Sequence, residues 1–131
     1  MKKLIPILLS ALMFTGCAGT SNNQINTYCR ISMDEAVAMM EQETGYIILD
    51  VRRPDEFAAG HIPHAINVPN ESIGTAEISE LPDKDQLILV YCRSGQRSKE
   101  ASAKLVKLGY TNIVEFGGIL DWKGETVTGQ K

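Results

Sequence analysis

Two short apolar runs, Tyr46-Ile-Ile-Leu-Asp-Val51 and Leu87-Ile-Leu-Val-Tyr91, stand out from a chain that otherwise mixes apolar and polar positions. Both are bounded by turn residues and rich in branched side chains, so each predicts a strand buried on both faces of a parallel sheet. Weaker strand signals lie at Cys29–Ile31, Ala65–Val68 and Asn112–Phe116. Between them the spacing turns helical. Ser32 with Glu35 fits a capping box, Ala36, Val37 and Met40 supply an inner stripe, and Gly45 is a stop. Pro54 opens a helix of one to two turns that runs through Ala59 and closes at Gly60. A longer helix is expected from about Ser98 to Leu108, with Ala101, Leu105 and Leu108 facing inward and Gly109 ending it. Residues 70–80 are weakly helical at best, and Gly117-Gly118 turns the chain into a short terminal helix near Leu120–Trp122. Strands alternating with helices predict an α/β fold, an open parallel sheet of about five strands with helices on both faces.

The first stretch obeys a different pattern. Lys2 and Lys3 precede an almost unbroken apolar run from Leu4 to Phe14, then Thr15-Gly16 and Cys17. The run is too short for a comfortable permanent membrane span and reads as a secretory signal over residues 1–16. Phe14-Thr15-Gly16-Cys17 resembles a bacterial lipobox, in which the cysteine is lipidated and becomes the new N-terminus; Phe14 stands where Leu is more usual. The alternative is an ordinary cleaved signal with an incidental cysteine. The expected organisation is a signal at 1–16, a lipidated N-terminus and polar tether at 17–27, and one domain at 28–131. It implies an extracytoplasmic protein held at a membrane through lipid on Cys17.

Composition narrows the function classes. Hydrophobic residues at 44% and charged residues at 22% suit a folded domain and oppose disorder. The formal charge is −3, and losing residues 1–16 with their two lysines makes it −5, so nucleic-acid binding has no electrostatic basis. Any anion site must be made locally. Cys29 and Cys92 sit in no zinc spacing and no CxxC pair, so no metal and no cofactor is expected. Whether Cys29 and Cys92 meet as a disulfide is open at this level.

Cys92 closes a buried strand and precedes a helix, which is where open α/β sheets place ligands. Backbone N–H groups entering a helix and the helix dipole stabilise a thiolate there, and Arg93 and Arg97 act in the same direction. Gly95 lets the loop curl, and Ser98 either caps the helix or turns its hydroxyl toward the loop. The bland alternative, a strand-end cysteine beside solvated arginines, does not explain the combination of strand, Cys, two Arg, Gly and helix.

Leu49-Asp-Val-Arg52, Glu56-Phe57, Gly60-His-Ile-Pro63 and Ala65-Ile-Asn-Val-Pro69 resemble the first signature of the rhodanese family. Val90-Tyr-Cys-Arg-Ser-Gly-Gln-Arg-Ser98 resembles its active-site loop, and Phe116-Gly-Gly118 with Trp122 resembles its usual ending. The likeness runs from about Cys29 to Gly124. It implies a rhodanese-like fold and a single-domain sulfurtransferase, in which Cys92 takes sulfur from a small anionic donor such as thiosulfate and passes it to a thiol or cyanide. The resemblance makes residues Arg93, Ser94, Gly95, Gln96, Arg97 and Ser98 the substrate cradle, with Arg97, and secondarily Arg93, orienting the donor. It makes Asp50 a structural carboxylate paired with an arginine or backbone amides, Arg52 its neighbour, and His61 a lock on local turns. His64 departs from the family, which usually has a small residue there, and either alters the turn or lines the pocket mouth.

Phosphatases of similar architecture use Cys-x5-Arg, whereas Cys92 and Arg97 enclose four residues, a tighter ring that suits a sulfur atom better than a tetrahedral oxyanion. Two other classes stay in view: a non-enzymatic binding or sensing module of the same fold, and a thiol redox protein using Cys29 and Cys92.

Overall fold

A computed structural model describes residues 27–129. The signal, Cys17 and all but the last residue of the tether lie outside the described residues. The two apolar runs become neighbouring strands, β2 (Ile47–Asp50) and β4 (Ile88–Cys92), paired in parallel with Ile47 beside Ile88 and Asp50 beside Tyr91. With β1 (Cys29–Arg30), β3 (Ile66–Asn67) and β5 (Ile113–Gly118) they form a five-stranded, all-parallel sheet in the order β1-β5-β4-β2-β3.

Alternation along the strands divides the core in two, because successive side chains point to opposite faces. Leu49, Ile88, Val90, Cys92 and Ile113 pack with Ala101 and Leu105 of α3 (Gln96–Lys107). Ile48, Leu89, Tyr91, Val114 and Phe116 pack with Ala36 and Met39 of α1 (Met33–Gln42) and Phe57 of α2 (Pro54–Ala59). Helices therefore cover both faces, as the strand pattern requires.

Local signals act as expected at several ends. Ser32 Oγ accepts from the Glu35 N–H at 3.1 Å while the Glu35 carboxylate accepts from the Ser32 N–H at 2.8 Å, so the capping box forms. The segment after β3 holds only a short 3-10 turn, Asn70–Ser72, and the terminal helix is a second one, Ile119–Asp121. Two boundaries differ by two residues: β5 runs past Phe116 to Gly118, taking in the glycines expected as a turn, and α3 starts at Gln96 instead of Ser98. Its N-cap is Gly95 at φ +113°, a conformation that a glycine adopts at low cost.

His64 lies at φ +74° and is exposed. It follows Pro63 in a tight turn closed by Ala65 N–H donating to Ile62 O at 3.0 Å. Proline then left-handed is the type II pattern, which glycine satisfies without steric cost. His64 thus acts on the turn.

Candidate active site

β4 delivers Cys92 to the carboxyl edge of the sheet, and the chain turns at once into α3. Cys92 is a free thiol and is buried. The Gly95 N–H donates to Cys92 Sγ at 3.0 Å, and the Ser98 hydroxyl lies 3.5 Å away. The left-handed turn at Gly95 is what folds the loop back over the sulfur. The N-terminus of a helix of twelve residues then points its positive end at the same place.

The loop rests on the end of β5. Cys92 is in register with Gly118, and the Leu120 N–H donates to the Arg93 carbonyl at 3.2 Å. A Cβ at Gly118 would overlap that carbonyl, so the backbone approach itself requires glycine there. This explains why Gly117-Gly118 matters to a loop more than twenty residues earlier in the chain.

The structure sorts the cradle residues. Arg93, Ser94 and Gln96 are exposed, and Gln96 donates to Glu100 at 3.2 Å. The two terminal nitrogens of Arg97 contact the two carboxylate oxygens of Glu56 at 2.8 and 3.2 Å. That pairing holds the Glu56 carboxyl at about 2, well below its ordinary 4.5, and also raises Arg97. Arg97 thereby forms an α2–α3 clasp with a carboxylate 41 positions earlier in the chain. Arg93 instead borders an open concavity of about 380 Å³ whose walls include Arg52, Glu56, Gly60, Leu120 and Thr126.

Of the two roles open to Ser98, capping is not the one taken. Its hydroxyl turns inward, 2.6 Å from Glu115 Oε2 and 3.0 Å from the Gly95 carbonyl. Glu115 is only 2% exposed and was not among the sequence candidates. Its signal was present: an acidic residue inside the apolar run Ile113-Val114-Glu115-Phe116. A buried carboxylate needs partners. The Gly117 N–H at 2.9 Å and Arg30 Nε at 3.4 Å supply the others.

Asp50 and Arg52 form the support beside this loop. Asp50 is fully buried and level with Tyr91, and its oxygens accept from the Arg52 backbone N–H at 2.9 Å and from the guanidinium at 2.7 to 3.1 Å. Arg52 also donates to the Gly60 carbonyl at 2.7 Å, which ties β2 to the end of α2. Burial, then the Asp50 charge, push the Tyr91 phenol upward, so its hydroxyl stays neutral while accepting the Ile62 N–H at 3.1 Å. His61 is fully buried, stacks on Phe57 with ring centroids 3.7 Å apart, and donates from Nδ1 to the Phe57 carbonyl at 2.8 Å. Its backbone bridges to Val127. These contacts hold the turn after α2.

Cys29 is not brought to Cys92. β1 is separated from β4 by β5, and Cys29 is level with Val114, hence with Leu89, three residues before Cys92. Strand spacing and rise put the two α-carbons about 10 Å apart across the sheet and about 10 Å along it, beyond disulfide reach. The fold thus opposes a redox pair of Cys29 and Cys92.

Comparison with known proteins agrees with this geometry. The family model described as Rhodanese-like domain matches residues 20–125. Thiosulfate sulfurtransferase GlpE of Pseudomonas entomophila is 34% identical over 110 residues, covering 80% of this chain and 97% of that protein. Thiosulfate sulfurtransferase PspE of Escherichia coli is 34% identical over 73 residues, covering 56% of this chain and 70% of that protein. Among solved structures, a rhodanese with anions from E. coli superposes with a TM-score of 0.59 at 32% identity, covering 64% of this chain and 99% of the other. The matched span takes in the sheet, the Cys92 loop and the Gly117-Gly118 seat, and the chain belongs to the rhodanese-like domain family.

Proposed function

We infer that this protein is a sulfurtransferase that moves sulfane sulfur from a small anionic donor such as thiosulfate to a thiol or cyanide, with Cys92 as the carrier. The observation that carries the assignment is Cys92 Sγ at the end of β4, under the Gly95 N–H and the N-terminus of α3. Donated hydrogen bonds and the helix dipole favour negative charge on that sulfur and on the sulfur it acquires.

The chemistry needs two displacements. In the first, the Cys92 thiolate attacks the outer sulfur of thiosulfate. A Cys92 S–S bond forms, the sulfur–sulfur bond of the donor breaks, and its electron pair leaves with sulfite. In the second, Cys92–S–S⁻ and an acceptor R–SH yield Cys92–S⁻ and R–S–SH. Arg93, exposed at the edge of the concavity, meets the incoming anion, while Arg97 and Glu56 hold the helix that presents the loop. The E. coli structural relative, a rhodanese with anions, supports an anionic donor.

The test is thiosulfate-to-cyanide transfer by the prereduced protein beside Cys92→Ser. The expected result is activity in the parent, none in the variant, and addition of one sulfur atom to the parent by mass spectrometry. Equal activity in both would remove Cys92 as nucleophile; no activity and no added sulfur would favour a binding or sensing module.

The proposal extends to location. Met1–Gly16 and Cys17 carry the pattern of a lipoprotein signal, which supports an extracytoplasmic domain tethered to a membrane by lipid on Cys17. Labelled fatty acid should enter the expressed protein and be lost in Cys17→Ser, with release from the membrane fraction. Unlabelled wild-type protein would refute the anchor.

A further inference from the structure

We propose that Cys92, Ser98 and Glu115 act as one proton-sharing unit, in which the buried Glu115 carboxylate holds the proton that Cys92 gives up. The inference deepens the sulfurtransferase reading and rests on it for its functional meaning.

The geometry is a short chain of polar atoms through an otherwise apolar core. Cys92 Sγ lies 3.5 Å from Ser98 Oγ, and Ser98 Oγ lies 2.6 Å from Glu115 Oε2. All three residues are buried. Ser98 has one proton, and its other oxygen neighbours are the Gly95 carbonyl at 3.0 Å and the Gly117 carbonyl at 3.4 Å, which can only accept. The Glu115 contact is the shortest and is charge-assisted. With the thiol protonated, the line runs Cys92 S–H to Ser98 O–H to the Glu115 carboxylate.

Ionisation of Cys92 would place a second negative charge one hydroxyl away from the first. Two buried like charges that close disfavour each other. The countercharge available to Glu115 is weak. Arg30 Nε sits at 3.4 Å on a side chain 62% exposed to solvent, and the remaining donor is the Gly117 N–H. Arg97 faces Cys92 from α3 but is held by Glu56.

A two-step shift resolves the conflict with atoms conserved. The Cys92 S–H bond breaks as its proton bonds to Ser98 Oγ, and the Ser98 proton passes to Glu115 Oε2. The products are a Cys92 thiolate accepting from Ser98 O–H, and a neutral Glu115 carboxylic acid donating to Ser98 Oγ. The same arrangement receives the electron pair on Cys92 when the persulfide is handed on. Ser98 touches the reacting sulfur, and Glu115 is a positioning residue that acts through it.

Infrared difference spectroscopy of the prereduced full chain tests this, with thiolate ultraviolet absorbance recorded on the same samples. At neutral pH, thiolate absorbance and the carbonyl stretch of a protonated carboxylic acid should be present together, and raising the pH until the shared proton is lost to solvent should remove the band and leave the thiolate. Carboxamidomethylation of Cys92 should remove both signals. Glu115→Gln should keep the thiolate and lack the carboxylic-acid band. Thiolate without the band at neutral pH, or a band that survives alkylation, would overturn the proposal, and the alkylation arm needs no substitution that could disturb folding. Thiosulfate-to-cyanide transfer on the same preparations separates the two ideas: its absence would count against the sulfurtransferase and leave the proton measurement intact.

Discussion

Arg97 of α3 and Glu56 of α2 form a two-point ion pair, with nitrogen–oxygen distances of 2.8 and 3.2 Å and side chains 29% and 21% exposed. Glu56 also accepts the Arg53 N–H at 3.0 Å, so one carboxylate both caps α2 and clamps the start of α3. The helix that carries the Cys92 loop is therefore anchored from outside the loop.

This pair predicts a pH signature. The Arg97 hydrogen bond depresses Glu56 from 4.5 to about 2 in the folded state, so its contribution is present above about pH 4.5 and is lost as pH falls through about 2. Glu56→Gln should lower stability at neutral pH by about 1–2 kcal/mol, allowing for partial exposure. Its stability should also change less than the parent's between about pH 5 and about pH 2. Urea unfolding across that range checks both statements.

The proposed donor-facing role of Arg93 has a kinetic consequence. Arg93→Ala should raise the KM for thiosulfate by about tenfold, a loss of about 1.4 kcal/mol, with a smaller change in kcat. The effect should shrink at high salt, since Arg93 is exposed. Unchanged steady-state constants would transfer the task to the loop amides.

Gly118 is under steric control. In Gly118→Ala the new methyl group meets the Arg93 carbonyl, and backbone must move to accommodate it. A stability loss of about 1–3 kcal/mol is expected. Transfer activity should fall further than stability alone accounts for, because the displaced segment is the Cys92 loop itself. Denaturant unfolding and transfer assays on one preparation make the comparison.

His64 offers the opposite sign. Its left-handed conformation costs a side chain about 1–2 kcal/mol, part of which glycine returns through greater freedom in the unfolded chain. His64→Gly should stabilise the protein by about 0.5–1 kcal/mol. Thiosulfate turnover should be unaltered, since the exposed imidazole lies in the turn before β3. A lower midpoint in thermal unfolding would contradict the turn argument.

Much of this was legible in the linear chain because its causes are local. Ile47–Asp50 and Ile88–Cys92 announce buried parallel strands by apolar continuity, and Ser32 with Glu35 announces a helix start by spacing. The family resemblance implies a partner for Asp50, an arginine or backbone amides, and the structure identifies it as Arg52. Cys92 stands out for the same reason: a strand end, a glycine and a helix start are adjacent in sequence. What only the tertiary structure decided is which distant groups meet. Arg97 finds Glu56 because α2 and α3 approach each other across one end of the sheet, and Ser98 finds Glu115 because β5 runs beside β4 in a register that also seats Arg93 on Gly118. An arginine in a loop carries the same charge whether it faces substrate or a carboxylate from another helix, and an acidic residue in a strand reads the same on either face. Strand register and helix packing choose between those outcomes, and they are set by contacts that no short stretch of sequence contains.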